Sequence, residues 1–342
     1  MKQPLTVFSN IGALDNAHHH SMEQTDFTQL SLMVGKSLIT DGKDGLRVDI
    51  SRFREEIKLW RYYRRGNTAC LFLVKEKPEN KEGNGLISIL PLILGNEKEY
   101  YQRQATFSFL YHTHQTFGTI FAGLLLGKFL KEKERKNITT EKKTLDLFKD
   151  ELIHLSFNEF FKEEVKDVQL SFEKEKIKWI QIVDRIPGSS IKPLNDGVLS
   201  SEEIFIRGID RLFQRWENSV PNPFEGTKGP LESKILGDFL YYHGNNKYPL
   251  KDLHNDEFLK EMDIYLEKLK KFLIMKSPLN FDQCQGEGWT DTNDLFNFHK
   301  GDRSKHCLLR EFIVIENENN NMEARLVLKS KSGVLKLKKP LK

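Results

Sequence analysis

The spacing of apolar residues changes once along this chain, and the change limits what it can fold into. Up to about Met275 they recur three and four apart; after Arg310 they alternate. Phe27, Leu30, Met33, Val34 and Leu38 predict a helix from Asp26 to about Ile39, and Phe53, Ile57, Leu59 and Trp60 predict one from Ile50 to about Arg64. Further helices are expected over Thr68 to Lys77, Glu97 to Tyr111 and His114 to Lys133. Small residues Gly118, Ala122, Gly123 and Gly127 in the last of these would let helices approach closely. Ser200-Ser201-Glu202-Glu203 has the form of a capping box opening a helix to Trp216, and helices over Leu231 to Tyr242 and Asp256 to Met275 follow. Alternation in Phe312 to Ile315, Ala324 to Leu328 and Val334 to Leu337 predicts three short strands. The fold class expected is all-α with a small C-terminal β-meander, divided at about residue 300, and residues 1 to 24 are expected to be loop.

Composition narrows the function classes. Of 342 residues 30% are charged, yet the formal net charge is only +4, too small to argue for nucleic acid. The region from 131 to 250 is densely charged and reads as an insert of solvated helices with apolar faces at Leu145, Phe148, Leu152 and Leu155, and at Phe157, Phe160, Phe161 and Val165. A basic tail, Lys329 to Lys342, reads as a solubilising end. Cys70, Cys284 and Cys307 form neither a disulfide framework nor a zinc pattern. The N-terminus lacks a signal-peptide core, and the longest apolar run, Ile120 to Leu126, is too short to span a bilayer. A cytoplasmic protein is the expectation. His18-His19-His20 reads as an exposed loop rather than a metal site, because adjacent histidines do not share a face.

Four short strings carry the chemistry. Thr25-Asp26-Phe27-Thr28 heads a helix, and Thr290-Asp291-Thr292-Asn293 repeats its theme. Threonine hydroxyls and carboxylates are hard ligands suited to magnesium, but the same residues also cap helices. Gly83-Asn84-Gly85 precedes the apolar run Leu86 to Leu94, and Thr113-His114 opens a helix or caps it.

Taken in chain order, with Thr25 first and Thr290 fourth, and at these intervals, the strings resemble the ADP-ribosylglycohydrolase family. The resemblance covers about residues 22 to 130 and, more thinly, 260 to 296. It implies an all-α bundle with two magnesium ions that hydrolyses the bond between ADP-ribose and a modified side chain. Thr25, Asp26, Asp291 and Thr292 then look like metal ligands, with Asp26 and Asp291 as the catalytic carboxylates. Thr28 matches the helix-side threonine. Gly83, Asn84 and Gly85 resemble the loop lining the ADP-ribose groove, and His114 the histidine near the substrate. The chain departs from the pattern where Phe27 and Trp289 stand in place of two metal-binding aspartates. Gly12-Ala13-Leu14-Asp15 is at best a remnant of the Gly-Asp-Ala-Leu-Gly-like opening helix, and Asp15 and Glu23 lie close enough in sequence to supply a replacement base. The resemblance thus implies either a hydrolase with a reduced magnesium site or an inactive relative that binds ADP-ribose, ADP-ribosylated protein or a protein partner through the old cleft.

Overall fold

The computed structural model describes residues 6–19, 25–40, 42, 45–63, 84–162, 166–186, 200–218, 230–243, 257–279, 288–320, 322–331 and 333–340. Twelve α-helices and a small C-terminal sheet make up the described chain, so the helical body and the terminal change of period are both present. The helix expected over Thr68 to Lys77 lies outside the described residues.

The first helix, α1 (Val7–His19), replaces the loop expected there. Val7, Phe8, Ile11 and Leu14 form its buried stripe, diluted in sequence by Asn10, Asp15 and Asn16. Both of its ends are held from a distance. Asp263, on α12 (Glu257–Lys270), accepts hydrogen bonds from the N–H groups of Phe8 and Ser9 at 2.8 and 3.1 Å and from Ser9 Oγ at 2.6 Å. A carboxylate there satisfies the orphan donors of the first turn. At the other end His18 lies 2.9 Å from Asp238 of α11 (Leu231–Tyr242), so it is part of a helix and an ion cluster rather than an exposed loop. Asp238 also receives Arg211 and Arg215 of α10 (Ser201–Asn218). Burial pushes its carboxyl up, but hydrogen bonds from His18 and Arg211 and the two guanidinium charges outweigh burial and hold it below the usual range.

Helix α2 (Asp26–Ser37) runs into a two-residue strand, β1 (Leu38–Ile39), paired antiparallel with β2 (Arg47–Val48). Gly45, at φ 73°, turns the chain, and the Asn96 side chain bonds both backbone groups of Leu46. The amphipathic α3 (Ile50–Tyr63) follows. The apolar run splits into α4 (Asn84–Ser88) and α5 (Leu90–Gly95), with Pro91 in the first turn of α5, where its missing N–H costs nothing. Next come α6 (Glu99–Thr113) and α7 (Phe117–Glu134). Thr113-His114 therefore ends a helix instead of opening one; Gln115, at φ 55°, makes the turn.

Helix α7 is apolar nearly all round because it is the axis of the bundle, packed by α4, α6, α8 (Glu141–His154), α9 (Lys166–Val183) and α10. Its glycines are contact points: a Cβ at Gly123 would stand 3.1 Å from Ile89 Cδ1 and 3.2 Å from Thr106 Cγ2. The charged stretch thus builds helices of the bundle itself. Phe157 to Glu159 is a 3-10 turn, and Phe157 and Phe161 stack beside Phe172. The capping box at Ser200 forms, with Glu203 N donating to Ser200 Oγ and Ser200 N donating to Glu203 Oε2.

The sheet begins earlier than expected, with β3 (Trp289–Thr290), which runs parallel to β4 (Arg303–His306). Then β5 (Arg310–Asn319), β6 (Glu323–Ser330) and β7 (Gly333–Pro340) complete an antiparallel meander in the order β3-β4-β5-β6-β7. Phe312, Val314, Leu326, Leu328 and Leu337 cover its inner face and pack with Leu59 of α3 as a second core. Exposed Lys336 and Lys338 lie on the edge strand β7, where charge discourages pairing with another chain. Among the described residues no helix is long and apolar enough to cross a membrane.

The crossing of α10 and α11 gives a test. A Cβ at Gly237 of α11 would stand 2.7 Å from the Gly208 carbonyl oxygen of α10, a backbone atom that cannot rotate away. Gly237→Ala should lower stability by about 1–3 kcal/mol in urea unfolding, despite alanine's better helix propensity.

Candidate functional site

Asp15 organises the first string. It has no solvent exposure and accepts Thr25 N at 2.9 Å, Thr25 Oγ1 at 2.5 Å and Thr28 Oγ1 at 2.7 Å. Both threonine protons therefore point at a carboxylate on α1. Thr25, in an extended conformation, also caps α2 by accepting the Phe27 N–H at 3.4 Å. Asp26 is fully buried in the first turn of α2, where the helix dipole favours its charge. Phe27 is 1% exposed and belongs to the main hydrophobic core; it does not present its ring to a cleft.

The second and third strings meet. Helix α4 packs on α2, with Ser31 Oγ donating to Phe27 O at 2.9 Å and lying 3.3 Å from Ile87 O. Gly85, in α4, sits against the His114 ring: a Cβ there would stand 2.6 Å from His114 Nε2. His114 is 1% exposed. Thr113 Oγ1 gives its proton to Phe109 O at 2.8 Å, so its lone pair accepts from His114 Nδ1 at 2.8 Å. Nε2 is the ring nitrogen on the Gly85 side. Glycine is required at 85 for this approach. Asn84 begins α4, and Gly83 lies outside the described residues.

The fourth string lies at the junction of the sheet and α3. Thr290 Oγ1 and Ser304 Oγ are 2.7 Å apart across β3 and β4. Asp291 is exposed and caps a 3-10 turn, Thr292–Asn297, by accepting Asn293 N at 2.9 Å. Thr292 is fully buried, 2.8 Å from His306 Nε2 and 3.3 Å from Glu55 Oε2. His306 Nδ1 accepts the N–H groups of Leu308 and Leu309 at 3.2 and 3.3 Å. Its proton must then be on Nε2, donated to Thr292 Oγ1, which in turn donates to Glu55. The other oxygen of Glu55 takes Lys58 Nζ at 2.5 Å, and this hydrogen bond raises the Lys58 ammonium above its usual range. Burial pushes His306 down, against the charges of Glu55 and Asp291.

Ligand atoms of Glu55, His306 and Cys307 lie within 4.8 Å of one another, the kind of set that could hold a transition metal. The hydrogen bonds argue otherwise. Both His306 nitrogens are engaged, with Nε2 protonated, and the Lys58 ammonium already balances Glu55. The group works as a clasp between sheet and helix. Magnesium fares no better. A two-metal centre needs several carboxylates, and the Phe27 and Trp289 side chains supply none. The Thr25 and Thr292 hydroxyl oxygens already accept hydrogen bonds, from Phe27 N–H and from His306 Nε2, and Asp291 is turned onto its own backbone. The residues present do not fit a two-magnesium site.

Sequence reasoning overlooked Glu55 and His306, because Arg54-Glu55-Glu56 reads as the polar face of α3 and Glu55 meets Thr292 237 positions away. Comparison with known proteins gives no family: no family model and no curated protein matches the chain.

Two outcomes test these networks. Asp15→Ala strands three buried donors and should cost at least about 2–3 kcal/mol of unfolding free energy in urea. His306 is held neutral by burial, so the unfolded chain takes up its proton first on acidification. Stability should fall as pH drops from about 6.5 toward the lowered native value, and His306→Gln should remove that part of the slope in urea midpoints measured against pH.

Proposed function

We propose that this chain is a divergent ADP-ribosylglycohydrolase-like protein that binds ADP-ribose, free or carried on a protein, and hydrolyses it little or not at all. One observation carries the reading. Gly85 and His114, 29 positions apart and drawn from two different strings, are in direct contact beside the helix headed by Thr25 and Asp26. A chance resemblance gives no reason for two strings to be adjacent. Backbone approaching a histidine through a glycine suits a groove that recognises a ribose or phosphate by main-chain N–H groups.

Loss of hydrolysis follows from the donor set. Cleavage at the ribose needs an oriented water and a base. Asp15 is consumed by three hydrogen bonds and does not supply the replacement base, while Glu23, the other candidate, lies outside the described residues. Phe27 packs in the core, and restoring an aspartate at 27 would bury a charge among apolar side chains. A purely protein-binding role is the second reading, and it is separated by the same experiment.

Isothermal titration with ADP-ribose should show binding that is unchanged by magnesium, and incubation with ADP-ribosylated protein should release no ADP-ribose. Gly85→Val, which displaces the His114 ring, should weaken binding by about tenfold or more. Magnesium-dependent release of ADP-ribose would overturn the loss of catalysis. Absence of ADP-ribose binding would leave the protein-binding reading.

A further inference from the structure

A cavity of about 270 Å³ lies between the β1–β2 hairpin, the start of α3 and the outer face of α6. Ile39, Val48 and Phe109 line its apolar side, and Arg47, Ser108 and His112 bring polar groups to it. The one carboxylate in the lining, Asp49, is already spent. Its Oδ1 accepts Ser51 N and Arg52 N at 3.1 and 3.2 Å, and its Oδ2 accepts Leu279 N at 2.6 Å. Arg47 has no ion-pair partner among the described residues, and neither does Arg54 of α3. Burial, and then the charge of Arg54, push His112 down. Among the described residues the uncommitted polar groups here are one cation, Arg47, and two groups that can donate, Ser108 and His112, and the lining holds no uncommitted carboxylate to balance them.

We propose that this cavity binds a small organic anion, a carboxylate or phosphate monoester borne on one compact apolar body. Arg47 offers a planar fork that matches two oxygens of such a group. Ser108 and His112 can donate to the remaining oxygens, and Val48 and Phe109 take the body. The volume is below the usual range for drug-sized ligands, about 300–1,000 Å³, and suits a single ring with its charged substituent. The charged groups around His112 are Arg54 and Arg47 on the α3 and β2 sides, with Asp49 turned onto backbone. A bound anion therefore favours the imidazolium and raises the pH at which His112 titrates.

Proton NMR of the histidine rings tests this on the full chain, with the His112 signal assigned by its loss in His112→Gln. Benzoate and phenyl phosphate are the probes; benzyl alcohol and inorganic phosphate are the controls. The expected result is a saturable shift of the His112 signal with one or both probes, an upward move of its titration midpoint, and binding about tenfold weaker in Arg47→Gln. Arg47 is exposed, so that variant keeps the fold, which circular dichroism checks. The stronger of the two probes identifies the anionic group. No saturable shift with either probe overturns the proposal. So does an equal response to benzyl alcohol, equal affinity for inorganic phosphate, or undiminished affinity in Arg47→Gln.

Discussion

A carboxylate shut off from water has to be satisfied inside the protein, and Asp15 is satisfied by Thr25 and Thr28. The rest of the candidate site is placed through this contact. It fixes α1 against the head of α2, sets the direction in which both threonine hydroxyls point, and leaves Phe27 facing the core. Helix α4 lies on α2, and His114 closes over Gly85. The same rule governs the far end of the chain. Glu55, buried on α3, is satisfied by Thr292 and Lys58, and His306 completes the clasp that seats the sheet. Strings that resemble metal ligands thus serve two buried acids, Asp15 on α1 and Glu55 on α3.

Much of the architecture was legible because it is local. Helices α2, α3 and α7 announce themselves by apolar spacing or by length, and α10 by the Ser200 to Glu203 box, whose two hydrogen bonds are made within four residues. The meander is legible from alternation in Phe312 to Leu337. The first helix was not, because polar residues between its apolar ones serve partners elsewhere in the chain. Asp15 bonds α2, and His18 bonds Asp238, 220 positions away. The direction of Thr113-His114 was misread for a related reason: the pair suits either end of a helix, and the turn at Gln115 that decides it carries no glycine.

The site was legible as a set of strings and not as a set of roles. Spacing could pair Gly85 with His114 only through resemblance, while their contact depends on how α4 and α6 pack. It could not tell a threonine that ligates from one that donates to a buried carboxylate, since the side chain is the same. Nor could it find Glu55 or His306, which look like ordinary surface residues until the sheet folds onto α3.

The central claim is that the Thr-Asp-Thr strings hold the fold together and do not assemble a pair of metal ions. Isothermal titration of magnesium into the wild-type chain tests it most directly. The account predicts no tight, stoichiometric uptake, because the threonine oxygens already accept hydrogen bonds from Phe27 N–H and His306 and two carboxylate positions are Phe27 and Trp289. Tight binding of two magnesium ions per chain would contradict it.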